Sequence, residues 1–277
     1  MQKLILVILI TFPLGLMAQY WDVGVFLGGA NYSGDLVDKG SIIIVNETNF
    51  TYGAIARYNL TNRFNFKGSI YKGHISGSDN NARKNFTKKF TRNLSFRSPV
   101  MDLSATVEFN LFPYKSGHFK YNHAPYIFVG VGYLKFNPQA FYEGKWVNLQ
   151  PLGTEGQGIA LYNDRIYSLS QIVVPFGIGW KQSISRNINL GLEISFHKTF
   201  TDYLDDISTT YVAQADLVKS HGDISANLSN RTGEVGEGTK IDYTDKNPRG
   251  NPDNKDWYYF AGLTITYSIL GNTCLRF

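Results

Sequence analysis

The sequence predicts a closed antiparallel transmembrane β-barrel of about eight strands, and three observations carry that prediction. Apolar and polar residues alternate with period two over eight separate segments. Short and long connections alternate between those segments. An apolar leader precedes the first segment, and no later stretch resembles a spanning helix.

The leader is read first. Met1-Gln2-Lys3 is a short basic start, Leu4 to Leu16 an apolar core, and Leu16-Met17-Ala18 a small-residue cleavage end. The core is too short to span hydrocarbon. Residues 1–18 are therefore expected to be a cleaved signal peptide and 19–277 a single barrel domain. No cysteine follows the cleavage point, which excludes a lipoprotein anchor.

The first strand runs from about Trp21 to Tyr32, with Trp21, Val23, Val25 and Leu27 on its apolar side. The second covers about Phe50 to Leu60 and sets Tyr52, Ala54, Ala56 and Tyr58 against Thr51, Gly53 and Arg57. The third, about Arg63 to His74, sets Phe64, Phe66 and Ile70 against Arg63, Asn65, Lys67 and Ser69. The fourth alternates most strictly: Met101, Leu103, Ala105, Val107, Phe109 and Leu111 oppose Asp102, Ser104, Thr106, Glu108 and Asn110. The fifth, about Pro125 to Phe136, puts Ile127, Val129, Val131 and Tyr133 on the apolar face. The sixth, about Gln171 to Lys181, does the same with Ile172, Val174, Phe176, Ile178 and Trp180. In the seventh, Ile188, Leu190, Leu192, Ile194 and Phe196 oppose a face carrying Glu193, Ser195 and His197. The eighth, Trp257 to Ile269, closes the set.

Connections after the second and sixth segments are tight, and the one after the fourth is moderate. Those at about 33–49, 76–99, 138–169 and 201–255 are long. Short turns on one rim and long loops on the other are the asymmetry of outer-membrane barrels, with termini periplasmic and long loops outside the cell. The polar faces carry Arg57, Arg63, Lys67, Asp102, Glu108, Glu193 and His197. A soluble barrel buries its apolar face inward; a membrane barrel turns it to lipid and pairs its charges inside. These seven side chains are therefore expected to form a lumen polar network.

Composition agrees and narrows the function. The chain of 277 residues holds 18 Tyr, 19 Phe and 4 Trp, and its mean hydropathy is slightly negative. That excludes a multi-helix membrane protein and leaves a barrel, which is apolar at every second position. The single Cys274 excludes a disulfide framework and a thiolate metal cage. The formal charge of +5 is spread along the chain, so nucleic-acid binding has no support.

Candidate chemistry is sparse. Glu193, Ser195 and His197 share one strand face, but residues i and i+2 stand about 6–7 Å apart, which is expected to be too far for the direct hydrogen bonds of a triad. No G-x-S-x-G elbow is present. The chain is expected to be no enzyme, with no cofactor and no metal. The acidic run Asp202, Asp205 and Asp206, beside Thr201 and Tyr203, lacks the spacing of a calcium loop. Its acids are expected to pair with bases of neighbouring loops. Lys84, Lys88, Lys89, Arg92 and Arg97 make the second long loop basic, which suits either lipopolysaccharide phosphates or a partner protein, or else an ordinary solvated loop. Tyr114, Lys115, His118, Lys120 and Arg186 are expected to line a periplasmic partner rim.

Two stretches carry a family resemblance. The first strand continues as Phe26-Leu27-Gly28-Gly29-Ala30-Asn31-Tyr32-Ser33-Gly34-Asp35, and Asp202-Tyr203-Leu204-Asp205-Asp206 follows the seventh. With the Gly-rich fifth strand and the last strand, this resembles the PorG-like outer-membrane barrels of Bacteroidota. The resemblance implies a non-catalytic component of the type IX secretion and gliding machinery. It further implies periplasmic ring partners of the PorK and PorN kind, beside outer-membrane lipid and lipopolysaccharide. Two rival expectations stand beside it: an OmpX-like surface barrel that binds ligands or surfaces, and a lipid-modifying barrel enzyme.

Overall fold

A computed structural model describes residues 20–37, 45–81, 91–235 and 240–270. The leader 1–18, the tail from Gly271, and Lys84, Lys88 and Lys89 lie outside the described residues. The strands are β1 (Tyr20–Ser33), β2 (Asn49–Asn59), β3 (Phe64–Ser78), β4 (Ser95–Asn110), β5 (His123–Phe136), β6 (Gln139–Tyr142), β7 (Lys145–Asn148), β8 (Ser170–Ser183), β9 (Ile188–Lys198) and β10 (Trp257–Ile269). Two helices, α1 (Gln214–His221) and α2 (Asp223–Ser229), sit in the last long loop.

Eight of these strands form the wall. Each pairs antiparallel with its neighbours: β1 with β2, β2 with β3, β3 with β4, β4 with β5, β5 with β8, β8 with β9, β9 with β10, and β10 with β1. The sheet is therefore closed and no wall strand has a free edge, the condition for placing backbone in hydrocarbon. The paired positions lead from Gly73 through Thr51, Gly28, Gly262, Glu193, Gly179 and Tyr126 to Asn110, whose N–H donates to the Arg63 carbonyl. The circuit thus returns to the chain of β3 ten residues from its start (Gly73 to Arg63). Such a stagger tilts the strands and fixes the bore at a width that side chains fill.

The expected faces hold. Leu27, Phe66, Leu103, Val131, Leu192 and Leu263 point outward, with Val131 63% exposed and Leu192 58%. Phe26, Tyr71, Tyr126, Phe128, Tyr258 and Phe260 fill the bore, each no more than 5% exposed. Phe26 lies over the facing glycines 28 and 262; a Cβ on either would stand 2.8 Å from its ring. Small residues here make room for large ones, as expected of a narrow lumen.

The loops depart more from expectation. β3 and β4 stay paired up to Ser78 and Ser95, so the second long connection is shorter than 76–99. The third, 138–169, contains the β6–β7 hairpin, which joins the wall where Gln139 pairs with Arg97 of β4. Alternation over four residues is too brief to announce such strands in a sequence. The last connection is no open loop, because Leu217 of α1 and Ala226 of α2 pack with Tyr162 and Val212. Together these segments form a cap on the long-loop rim, in which Leu204, Ile207 and Leu228 are buried in one cluster with Leu36.

Candidate functional site

Period-two alternation turns every second residue of each wall strand inward, and the inward charges meet near mid-lumen. Glu108 of β4 accepts from Arg57 Nε at 2.6 Å and Nη2 at 3.1 Å, with Lys67 Nζ at 3.5 Å and Lys181 Nζ at 3.4 Å. Lys67 also reaches Glu193 Oε2 at 2.6 Å, and Glu193 accepts from Tyr71 and Tyr126. Asp22 is held by Asn59 and Ser268 and lies 3.9 Å from Arg57. Acids Asp22, Glu108 and Glu193 thus balance bases Arg57, Lys67 and Lys181, and none of the six exceeds 2% exposure. Buried charge is tolerated only when paired and hydrogen-bonded in this way.

Two members of this network escaped the sequence reading, Asp22 and Lys181. The signal was present: each alternates with outward residues of its own strand, Trp21 and Val23 around one, Trp180 beside the other. One expected member is misplaced. Arg63 lies just before β3, exposed in the tight turn, and its guanidinium donates to the Leu111 carbonyl at 2.9 Å. The face parity was right, but the strand ends one residue too soon to carry it inside.

The expected separation of Ser195 and His197 is also corrected. Ser195 Oγ stands 2.7 Å from His197 Nε2, and His197 Nδ1 stands 3.0 Å from Asp102 Oδ2 across the lumen. Backbone spacing along a strand overstates the gap, because the imidazole folds back along the strand to meet the hydroxyl. The acid comes from β4, not from Glu193. This Ser–His–Asp relay is sealed: Tyr258 stacks on His197 at 4.7 Å between ring centres, Phe260 packs edge-on, and no member exceeds 2% exposure. Asp102 also accepts from Ser104 and Tyr258. With all three members buried, the relay presents no surface to a substrate in this conformation.

Above the lumen, the two motif stretches converge. Tyr32 OH lies 2.7 Å from Asp205 Oδ2 and 3.0 Å from Asp256 Oδ1. The phenol has one proton to give, so a second must sit on a carboxyl. Burial, then neighbouring acids, hold Asp205 and Asp256 well above the usual carboxylate range. Backbone N–H groups of Ile207 and Leu204 fix their outer oxygens. Gly34 is needed here, since a Cβ would stand 2.0 Å from the Tyr32 hydroxyl and 1.9 Å from Asp256. Asp35 accepts from the Asn251 N–H, and Asn31 donates to Thr48. Leu27 and Gly29 stay on the outer wall and take no part.

The expectation that these acids pair with bases is overturned for most of them. Asp206 accepts from Tyr167 and Thr154 hydroxyls, and only its carbonyl receives Arg249. Burial pushes its carboxyl up to about 6, against the pull of Arg249. Asp202 is buried beside the Ser208 hydroxyl, and burial pushes it up to about 7. Among the described residues no group of acids and histidines has metal-holding geometry. The true ionic hub of the cap is elsewhere. Glu155 receives Arg249 at 3.1 Å, the Ser208 and Thr209 N–H groups, and the Thr209 hydroxyl. Tyr203 also donates to it, and stacks on Tyr167 at 4.5 Å. Arg92, tied to Asp79 at 2.7 Å, donates to the carbonyls of Asp35 and Arg249 and binds cap to wall.

The short-turn rim divides the expected partner residues. Tyr114 is buried and donates to Asn189, where with Tyr20 and Ser116 it stoppers the lumen. It is therefore not a contact residue; an aromatic four places past the end of β4 reads from sequence as rim. Lys120 and Arg186 are exposed, Lys115 and His118 half-buried, and His118 stacks on Tyr121. Beside them the fully exposed Phe119 was missed. An isolated Phe in a basic turn gives no periodicity to notice.

The fold and its filled interior define a transmembrane antiparallel barrel, lipid-facing outside, ionic within, and closed at both ends. Residues 1–244 match a family described as Domain of unknown function (DUF6089), and the chain belongs to that family. No curated protein matches it. Among solved structures, it is similar to OprG from Pseudomonas aeruginosa (8% identity, 92% of this chain and 97% of that chain, TM-score 0.41). It is also similar to Neisserial surface protein A (9%, 91% and 97%, TM-score 0.40) and to Ail of Yersinia pestis (10%, 91% and 97%, TM-score 0.38). The fold assignment rests on the strand pairing itself.

Proposed function

We propose that this barrel is a non-catalytic outer-membrane component of the type IX secretion and gliding machinery, linking the membrane to a periplasmic ring of PorK- and PorN-like proteins. The observation that carries the reading is where the molecule leaves surface free. The lumen is filled and stoppered at both ends, so work is left to the rims and the outer wall. On the short-turn rim, taken as periplasmic, Phe119 stands fully exposed beside Lys120, with Leu111, Phe112 and Ile184 also exposed. A bare aromatic ringed by polar and basic groups is the kind of anchor that buries in a partner's pocket. The motif residues Tyr32, Gly34, Asp35, Asp205 and Asp206 act by holding the cap, and the resemblance they carry supplies the secretion role.

The test is affinity purification of the tagged barrel from detergent-solubilised outer membranes. Ring proteins co-purify at near-stoichiometric yield with the wild type, and Phe119→Asp loses them while the barrel remains folded. Recovery of the barrel alone, with the ring intact in the same extract, removes the secretion role. A second reading, a surface barrel that binds through its cap, is favoured by the apolar cap residues Leu161, 75% exposed, and Ile166, 61%. It predicts that deleting the protein leaves secretion unchanged.

A further inference from the structure

We propose that the outer wall between β2 and β5 binds a phosphate-bearing membrane lipid near the long-loop rim, with its phosphate held between Lys72 and Lys135. The starting observation is a segregation of charge by sign. All four acids of the wall strands, Asp22, Asp102, Glu108 and Glu193, point inward. Every Lys, Arg or His that points outward, namely Lys72, His74, Arg97, His123, Lys135 and Lys198, is a base with no acid on the same surface. All but His123 lie on the long-loop half of their strands.

Three of these bases share one groove. Lys72, His74 and Lys135 line a cavity of about 590 Å³ together with Phe50, Tyr52 and Met101. The register sets Tyr52, Lys72, Met101 and Lys135 side by side on four consecutive wall strands. Lys72 and Lys135 are thus two strand spacings apart, about 10 Å at the backbone, and their long stems can converge on one anion. Among the described residues neither is in an ion pair, whereas the lumen lysines 67 and 181 both are. Arg97, next to the groove, is already engaged by Gln139 and lies over the Trp146 ring at 4.0 Å.

The shape selects a lipid over a small solute. The groove opens sideways on the lipid-facing wall, and its floor is apolar and aromatic. Lys72 and Lys135 stand level with Tyr52 and Met101, and the paired apolar residues Ile70, Leu103 and Tyr133 continue the wall toward its middle. Acyl chains suit Met101 and the outward Leu103 and Tyr133 below it, while a phosphate, a multiply charged acceptor, suits two ammonium groups. This inference needs the wall to face lipid and does not depend on any ring partner.

The experiment titrates the full-length protein in detergent with diphosphoryl lipid A and reads bound lipid by native mass spectrometry. Wild type binds one molecule. Each Lys→Gln change weakens binding about fivefold, and Lys72→Gln with Lys135→Gln weakens it roughly thirtyfold, as expected of basic residues at an anionic surface. Lys72→Arg with Lys135→Arg retains binding, and Lys198→Gln, on the opposite side of the wall, changes nothing. The folded state of each variant is checked by its heat-shifted migration in SDS gels, and the singles carry the test if the double variant misfolds. Equal binding by the Gln variants overturns the proposal, as does equal binding of the dephosphorylated lipid. Displacement of lipid A by millimolar inorganic phosphate would show a phosphate site instead of a lipid site.

Discussion

The lumen and the cap are both buried and rich in acids, yet they neutralise charge by different means. In the lumen, Glu108 and Glu193 face Arg57, Lys67 and Lys181 at hydrogen-bonding or near-bonding distance. In the cap, Asp205 and Asp256 share a phenol and backbone N–H groups, and Asp202 is buried beside the Ser208 hydroxyl. The first solution is charge compensation; the second keeps protons on the acids. The cap is therefore the region whose raised carboxyls respond to pH near neutrality.

The largest expected effect breaks the lumen. Glu108→Gln leaves three cations with less counter-charge and costs about 3–5 kcal/mol, the range for an uncompensated buried charge. Urea unfolding of the protein refolded into vesicles measures it. Glu155→Gln in the cap removes the charge that faces Arg249 and one of the two oxygens that accept the Ser208 and Thr209 N–H groups, costing about 1.5–3 kcal/mol for charged hydrogen bonds. That loss stays local: protease cleavage within 199–256 accelerates, while the unfolding midpoint of the wall holds.

A pH change separates the two regions without mutation. An unfolded Asp titrates near 3.9, whereas Asp206 is pushed up to about 6 and Asp202 to about 7 in the cap. Between these values the folded cap binds more protons than the unfolded chain, so its stability falls as pH rises. The contribution is complete below about pH 4 and is lost as pH passes 7. Hydrogen-exchange protection factors at the Leu204 and Ile207 amides, which bond to Asp256 and Asp205, decline from pH 5 to pH 8. Amides of β4 and β9 keep theirs. The smallest effect is that of Arg63→Ala, which leaves stability unchanged within the error of the urea titration, because its side chain is exposed at the turn.

The same contrast explains what could be read from the sequence. In the wall, direction follows from parity alone, so the faces of all eight strands and lumen residues such as Arg57, Glu108 and Glu193 were legible. Asp22 and Lys181 obey the same rule and needed only its full use. Arg63 failed because parity says nothing about where a strand stops. The cap was illegible for a different reason. Glu155 and Arg249 meet across 94 positions, and no periodicity couples loop residues so far apart. The motif stretches around Tyr32 and Asp205 could be singled out, but not their convergence on Asp256. The Ser195–His197 contact is not legible because backbone spacing along a strand overstates the gap that side-chain reach closes, and Asp102 reaches the pair from another strand.

The central claim is that this barrel acts through its surfaces because its lumen is shut by the charged network itself. Single-channel recording in planar bilayers tests that claim most directly, comparing the intact protein with a variant in which a short linker replaces 201–255. Neither protein shows conductance steps above the bare bilayer if the account holds, since Arg57, Glu108, Lys67 and Glu193 still close the bore. Stable ion conductance, above all in the intact protein, would contradict it.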